Sequence, residues 1–402
     1  MKKEKWDVLA AFLAGLFALT LVALWYARQT GADFFAHCLA DSYTLQALAW
    51  RAGKMTIDGD YPWLELAIFE GKQYLSFPPV PTLPLFVLTF FFGGETPSGA
   101  LTLLYLLGGY AAGFFLCARR MRPGSAALLS LFVCAGGSLM DVAVSDGSFC
   151  GAVWYQAQML AFLLTMLAFL LLDGKSRRGW YWGLVCYALA IGCRPFNIAM
   201  APAVLWLLAV RLSGGKPRLN TVRAMIPFCI APFCIGCAYG CYNLARFGSF
   251  FEFGHVYLPE YVQSGDEVFS LRYVMGNVRS LLRWPSLADG QLVMPAAGGF
   301  AVVLTQPQLF LALGWTVWRA CRRRLCALDA VTAGCICLQA CALLLHRTLG
   351  GWQYGARYFC DMLPAVLYLR ARMGRELPAW EASVNGGAMT FNLLASVMFH
   401  AM

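Results

Sequence analysis

Charge is scarce in this chain. Asp, Glu, Lys and Arg make up 13% of its 402 residues, hydrophobic residues make up 60%, and mean hydropathy is +0.61. A soluble domain of this length has no single core able to bury so much apolar surface, so the composition excludes a soluble globular enzyme. Three signatures are also missing: the sequence contains no P-loop, no Rossmann glycine fingerprint and no zinc-protease helix, which leaves no recognisable cradle for a nucleotide. Histidine is sparse, at four residues, and none stands at metal-ligand spacing from the sixteen cysteines. The groups Cys234, Cys237, Cys241 and Cys335, Cys337, Cys341 lie in apolar runs, where a cysteine serves as a small buried hydrophobe. Cys38, Cys150 and Cys360 fall nearer the outer surface, with no spacing that pairs them.

Long apolar runs are what the chain does have. They fall near 8–27, 98–118, 125–140, 157–172, 180–193, 197–210, 223–243, 296–318, 327–346, 359–369 and 385–402. A bilayer core takes about 20 apolar residues per helix, and a spanning chain must satisfy its own backbone hydrogen bonds. The expected architecture is therefore an all-α polytopic membrane protein of about 11 transmembrane helices in one integral membrane domain, 1–402. The basic start Met1-Lys2-Lys3-Glu4-Lys5 suggests a signal peptide, but its long apolar run lacks a small-residue cleavage site and reads as an uncleaved anchor.

Orientation follows from the positive residues, which are retained on the cytoplasmic side. Most of the 31 Lys and Arg cluster at 2–5, 119–122, 175–178, 211–223, 319–324 and 370–375. From Arg119 onward the clusters fall in every second loop, so the net charge of +10 is topology and no nucleic-acid surface. The N-terminus is then cytoplasmic. Residues 28–97 form a first outer loop, with 80–93 re-entrant or interfacial inside it, and 244–295 form a second long outer loop. Trp63, Trp154, Tyr155, Tyr257, Tyr261, Trp284, Trp352 and Tyr354 fall on that side, as an interfacial belt requires.

The first outer loop follows one span with some fifty polar, acid-rich residues, an insertion that short-looped spans do not need. Asp58 and Asp60 flank Gly59 in a turn and read as solvated. Asp41 precedes Ser42-Tyr43-Thr44-Leu45-Gln46-Ala47-Leu48-Ala49-Trp50-Arg51, which has helical apolar spacing. It is a helix cap, and a carboxylate at the end of an interfacial helix is also placed to act as a base.

Several segments, in order along nearly the whole chain, resemble a known family. They are Asp41-Ser42-Tyr43; Gly71-Lys72-Gln73-Tyr74 running into Phe77-Pro78-Pro79-Val80-Pro81; Cys193-Arg194-Pro195-Phe196-Asn197; Tyr242-Asn243 through Arg246-Phe247-Gly248-Ser249; and Gly355-Ala356-Arg357-Tyr358 with Asp361 and Pro364. The pattern resembles membrane glycosyltransferases of the GT-C fold, the protein-mannosyltransferase-like superfamily. The resemblance implies an inverting transfer of sugar from a polyprenyl-phosphate donor to an acceptor on the outer face of a bacterial plasma membrane. It also implies a carboxylate of the first outer loop as general base. Asp41 fits that position first, although Ser42 follows it where the family often has Glu. Glu65, just before Gly71-Lys72-Gln73-Tyr74, comes second and Asp33 third.

A sugar phosphate leaves readily once its charge is held, so the site needs fixed cations near the membrane surface. Arg binds phosphate oxygens in pairs and stays charged near lipid. Arg357, Arg194 and Arg246 stand at outer span ends, and Lys72 closes the first loop. These are the candidates for the donor phosphate; snorkelling to the interface is the plainer role of each, and the one favoured for Arg246. Tyr43, Tyr74, His255 and Trp352 are the candidate substrate contacts, with Glu252 and Trp154 beside them. No metal-ligand cluster is present, and a divalent cation bridging donor phosphate and carboxylate would leave no trace in spacing. A transporter or flippase of a lipid-linked or small polar substrate is the competing class. It loses ground because mid-span ionisable groups are few, Asp329 and Asp361 being the deepest, and no inverted repeat is visible.

Overall fold

The first apolar run forms one helix, α1 (Lys2–Thr30). Its 29 residues reach about 43 Å at 1.5 Å each, enough to cross a bilayer core of about 30 Å. The computed structural model describes residues 2–288 and 291–401. After α1 the chain makes α2 (Ser42–Arg51), a hairpin of β1 (Leu66–Phe69) and β2 (Lys72–Leu75), and α3 (Thr82–Phe92). α3 has 11 residues, about 16 Å, too short to cross. The body of the molecule continues through α4 (Ser98–Ala118), α5 (Pro123–Ala135), α6 (Leu139–Val144), α7 (Val153–Asp173), α8 (Arg177–Ile191), α9 (Ala201–Ser213) and α10 (Leu219–Phe247). Then come α11 (Pro259–Ser264), α12 (Val274–Leu282), the small strands β3 (Ser286–Ala288) and β4 (Gln291–Val293), α13 (Val302–Thr305), α14 (Pro307–Cys321), α15 (Ala327–Leu345), α16 (Leu363–Ala371) and α17 (Ala379–His400).

Helix is present at each of the eleven expected positions, but among the described residues six helical stretches are both long and apolar enough to cross a membrane. They are Glu4–Thr30, Ser98–Ala118, Val153–Asp173, Pro195–Ser213, Leu219–Phe247 and Ala327–Leu345. The run expected at 296–318 turns helical in earnest only at Pro307. Gly298, Gly299 and Ala301 have φ of +72°, +80° and +38°, left-handed values that a right-handed helix cannot absorb.

α7 is the hub, packed against both α4 and α8, and the whole of α16 is buried beside it. α4 turns its glycines toward α7 and α16: a Cβ on Gly109 would overlap the Phe162 ring, and one on Gly113 would stand 2.7 Å from Leu367 Cδ2. Small residues are what let helices approach this closely in lipid. One end of the bundle gathers the basic clusters. Asp173, at the end of α7, accepts from Arg120, Arg211 and Tyr368 and pairs with Arg119 at 3.5 Å. Arg122 meets Glu376, Arg372 meets Asp329, and Arg370 meets Glu381 on the same side. The opposite end carries the hairpin, the interhelical loops and a large cavity.

Candidate active-site cavity

The hairpin is where local sequence sets the site. Glu70 and Gly71, with φ of +50° and +71°, make a two-residue turn with both centres left-handed, the type that matches strand twist. The register pairs Leu66 with Leu75 and so leaves Glu65 facing Ser76, whose Oγ donates to the Glu65 carbonyl at 2.8 Å. From Ser76 the chain runs through Phe77, Pro78 and Pro79, and the Val80 amide donates to the Gly192 carbonyl at 3.1 Å. That bond docks the proline-rich segment against the turn that presents Arg194. Arg246, at the end of α10, donates to the Leu75 carbonyl at 2.6 Å and to Asn243 Oδ1 at 3.0 Å, locking the third motif onto the hairpin.

These segments, the start of α7, the residues after α10 and the stretch after α15 enclose a cavity of about 850 Å³. Its wall is mostly apolar and aromatic, with a few convergent charged groups, the usual make-up of a small-molecule site. Four arginines reach it: Arg194, Arg246, Arg347 and Arg357. Three carboxylates do as well: Glu65, Glu252 and Glu260.

The arginines are held differently. Arg194 Nε donates to Asp361 Oδ2 at 3.0 Å, and Gln158 Nε2 donates to the other Asp361 oxygen at 2.8 Å. Asp361 thus serves as the buried counter-ion of Arg194. Arg347 pairs with Asp266 at 2.7 Å. Arg246 donates from its two Nη atoms to the two neutral acceptors above, keeps a buried Nε without a partner, has no ion pair among the described residues and lies over the rings of Tyr242 and Phe247. Arg357, only 4% exposed, has no carboxylate within ion-pair distance among the described residues. Its Nε donates to Gln353 Oε1 at 2.6 Å, and its guanidinium lies 5.1 Å from the Tyr358 ring centre, with Arg194 4.8 Å from the same ring. Arg357 Nη1 and Arg194 Nη2 are buried with no hydrogen-bond partner. The two guanidiniums approach one tyrosine ring and both residues line the cavity, a pair of cations that an anion there would complement.

Glu65 is one of the carboxylates on the cavity wall. Trp154 Nε1 donates to its Oε2 at 3.1 Å. Burial pushes its carboxyl above the usual range, against the pull of the Trp154 hydrogen bond and the charge of Arg357. His346 was read from sequence only as the last residue of a span, and Arg347 was passed over; both line the cavity. Burial lowers the His346 imidazole to about 4, so it is neutral at physiological pH. Its Nδ1 lies 2.7 Å from the Thr348 carbonyl and 3.3 Å from the Thr348 amide. Burial also lowers His255, whose ring centre is 6.3 Å from that of His346.

Of the residues singled out from sequence, Glu65, Arg194, Arg246, Arg357, His255, Trp352, Trp154 and Glu252 line the cavity. Asp41, Tyr43, Lys72 and Tyr74 do not. Asp41 is 1% exposed and caps α2, accepting from the Thr44 amide at 3.1 Å, Thr44 Oγ1 at 2.6 Å and Gln156 Nε2 at 2.7 Å. Burial raises its carboxyl while those donors pull it down. Tyr43 is fully buried and packs on Phe77 from behind. Lys72 is exposed at the hairpin turn, and Tyr74 packs on Phe247. Asp33 is on the surface, accepting from the Phe35 amide. No group of three His, Cys, Asp or Glu able to hold a metal ion occurs among the described residues.

The chain matches no protein-family model, and no curated protein matches it by sequence. Solved structures do match in shape. ArnT from Cupriavidus metallidurans bound to undecaprenyl phosphate superposes with a TM-score of 0.51 at 15% identity, over 89% of this chain and 59% of that one. The apo state of the same protein gives 0.49 at 15% identity, over 93% and 60%. The Archaeoglobus fulgidus oligosaccharyltransferase gives 0.48 at 12% identity, over 96% and 56%. The chain spans about three fifths of the length of these structures. In its membrane helices and in the loops that close one end of them, the chain has the GT-C fold.

Proposed function

We propose that this protein is a membrane glycosyltransferase that takes a sugar from a polyprenyl-phosphate donor and passes it to an acceptor hydroxyl or amine at the cavity. The observation that carries the reading is Arg357 on the cavity wall, without a carboxylate partner among the described residues, its guanidinium 5.1 Å and that of Arg194 4.8 Å from one tyrosine ring centre. A cation in that position is costly unless an anion joins it, and a phosphate or phosphodiester supplies one in matching geometry. That ArnT has been seen with undecaprenyl phosphate on the same fold supports the choice of donor.

In this reading Arg194 and Arg357 hold the donor phosphate and stabilise the charge that builds as the glycosidic bond breaks. Asp361 and Gln353 fix the two guanidiniums, which leaves little reorganisation for the reaction itself. Glu65 takes the acceptor proton from the opposite side of the sugar, so the anomeric centre inverts. Its raised carboxyl makes it a stronger base than a solvated Glu, and Trp154 fixes one of its oxygens. Asp41 is assigned a positioning role: it ties α2 to α7 through Gln156, two residues from Trp154. No step is routed through a metal ion. The position of the cavity on the face opposite the basic clusters supports a reaction on the outer side.

The test is sugar transfer from a panel of polyprenyl-phosphate sugars by the purified protein in nanodiscs, with Glu65→Gln and Asp41→Asn compared. Activity should rise with pH through a value above the ordinary Glu range, because the deprotonated base is the active form and burial raises its pKa. Glu65→Gln should abolish transfer in a folded protein. A folded, inactive Asp41→Asn beside an active Glu65→Gln would move the base to Asp41. Translocation of the lipid without transfer would return the transporter reading.

A further inference from the structure

α12 stands apart from the bundle helices. Its preceding turn and its body expose Leu271 (81%), Met275 (61%) and Leu282 (56%), while Asn277 and Leu281 face inward. Met275 and Leu282 are seven apart and share one helix face, with Arg279 exposed beside them, four residues after Met275. Spacings of four and three set Arg279 between Met275 and Leu282 on that same face, so the exposed side carries two apolar residues with a cation between them, turned away from the protein.

The height of α12 is fixed by its attachment. Asn277 Nδ2 donates to the Leu344 and His346 carbonyls at 2.9 and 2.8 Å, and the Ser270 amide donates to the Leu345 carbonyl at 2.9 Å. Those carbonyls are the unpaired end of α15, which Asn277 caps from outside. α15 has 19 apolar-rich residues, about 28 Å, so its two ends coincide with the two surfaces of the hydrocarbon core. Arg322, Arg323 and Arg324 mark its other end. A helix hung on its last carbonyls therefore sits at interface depth, where an apolar stripe meets acyl chains and an arginine meets headgroup phosphates.

We propose that α12 lies in the membrane surface on the cavity side, with its Met275–Leu282 face among acyl chains and Arg279 on the phosphate of an anionic phospholipid. Since Asn277 grips the backbone of His346, whose ring lines the cavity, the lipid surface becomes a support for that wall. The proposal stands on exposure and depth and does not depend on the sugar-transfer reading.

The experiment places the photo-crosslinking residue p-benzoylphenylalanine at Met275 in the full chain, in nanodiscs of phosphatidylglycerol and phosphatidylcholine, with adducts identified by mass spectrometry. Lipid adducts should dominate and favour the anionic lipid. Arg279→Gln should lower that preference about five-fold, the weight of roughly one interfacial charge, and leave the phosphatidylcholine adduct unchanged. Protein–protein adducts would overturn the proposal in favour of a second copy of the chain on this face. Absence of lipid adducts in a folded protein would overturn it outright, and equal labelling of the two lipids would overturn the assignment of Arg279 to a net anionic lipid.

Discussion

Arg194 and Arg357 both line the cavity and approach one tyrosine ring, yet removing their charges should have unequal consequences for stability. Arg194→Gln leaves Asp361, which is 4% exposed, as a buried carboxylate with only Gln158 to satisfy it. Breaking a buried pair in this way costs about 3–5 kcal/mol. Arg357 has no carboxylate to abandon, and its one side-chain bond goes to the neutral Gln353. Arg357→Gln removes an uncompensated charge and one charge-assisted hydrogen bond, terms of about 1.5–3 kcal/mol that act in opposite directions, so the apo protein should melt close to wild type. Ligand response should divide the other way. A polyprenyl phosphate at 100 times its Kd stabilises the wild type by about 2.7 kcal/mol, and Arg357→Gln should lose most of that gain. In the transfer assay it should lose about 10²–10³ in kcat, as when a preorganised donor to developing charge is removed. Melting in detergent by tryptophan fluorescence, with and without the phosphate lipid, gives both readings on one sample. If Arg357→Gln proves as unstable as Arg194→Gln, or keeps the full lipid-induced shift, the anion-site reasoning fails.

Three further outcomes are expected. Asp41→Ala removes the cap of α2 and one of the two acceptors of Gln156 Nε2, and should cost about 1–3 kcal/mol in thermal stability whatever its effect on transfer. His346 binds its proton less readily folded than unfolded, so the unfolded chain holds more protons between 6.5 and about 4, and stability falls as pH drops through that window. The full gap corresponds to about 3 kcal/mol, and His346→Gln should flatten the acid limb of a melting-temperature profile. Gly109→Ala pushes a methyl into the Phe162 ring and should destabilise the α4–α7 contact by about 1–3 kcal/mol, visible as a lower melting temperature in detergent.

The membrane class, the positions of the helices and the alternation of the basic clusters were legible in the sequence, because each is a local property of composition along the chain. The motif arginines were legible too: Arg194, Arg246 and Arg357 all reach the cavity, and the structural role favoured for Arg246 matches its neutral hydrogen bonds and ring contacts. Helix length was harder to read. Residues 296–306 are as apolar as a span, but left-handed backbone at Gly298, Gly299 and Ala301 delays α14 to Pro307.

What linear order withheld is which polar groups meet. Asp41 and Glu65 are equivalent as acidic residues of one loop, and the difference between a cap turned into α7 and a carboxylate on the cavity wall comes from Gln156 and Trp154, about ninety or more residues away. His346 and Arg347 carry no motif and become part of the cavity because α15 ends beside the segment that follows α10. Lys72 belongs to a motif, yet the two-residue turn at Glu70 and Gly71 sends it to the surface. The sequence by itself determined the solvent each helix needs and the side on which each positive cluster gathers, since hydropathy and charge act residue by residue. Only the tertiary structure decided which cavity arginines have a counter-ion, because that depends on Asp361 and Asp266 being carried to Arg194 and Arg347 while no described carboxylate pairs with Arg246 or Arg357.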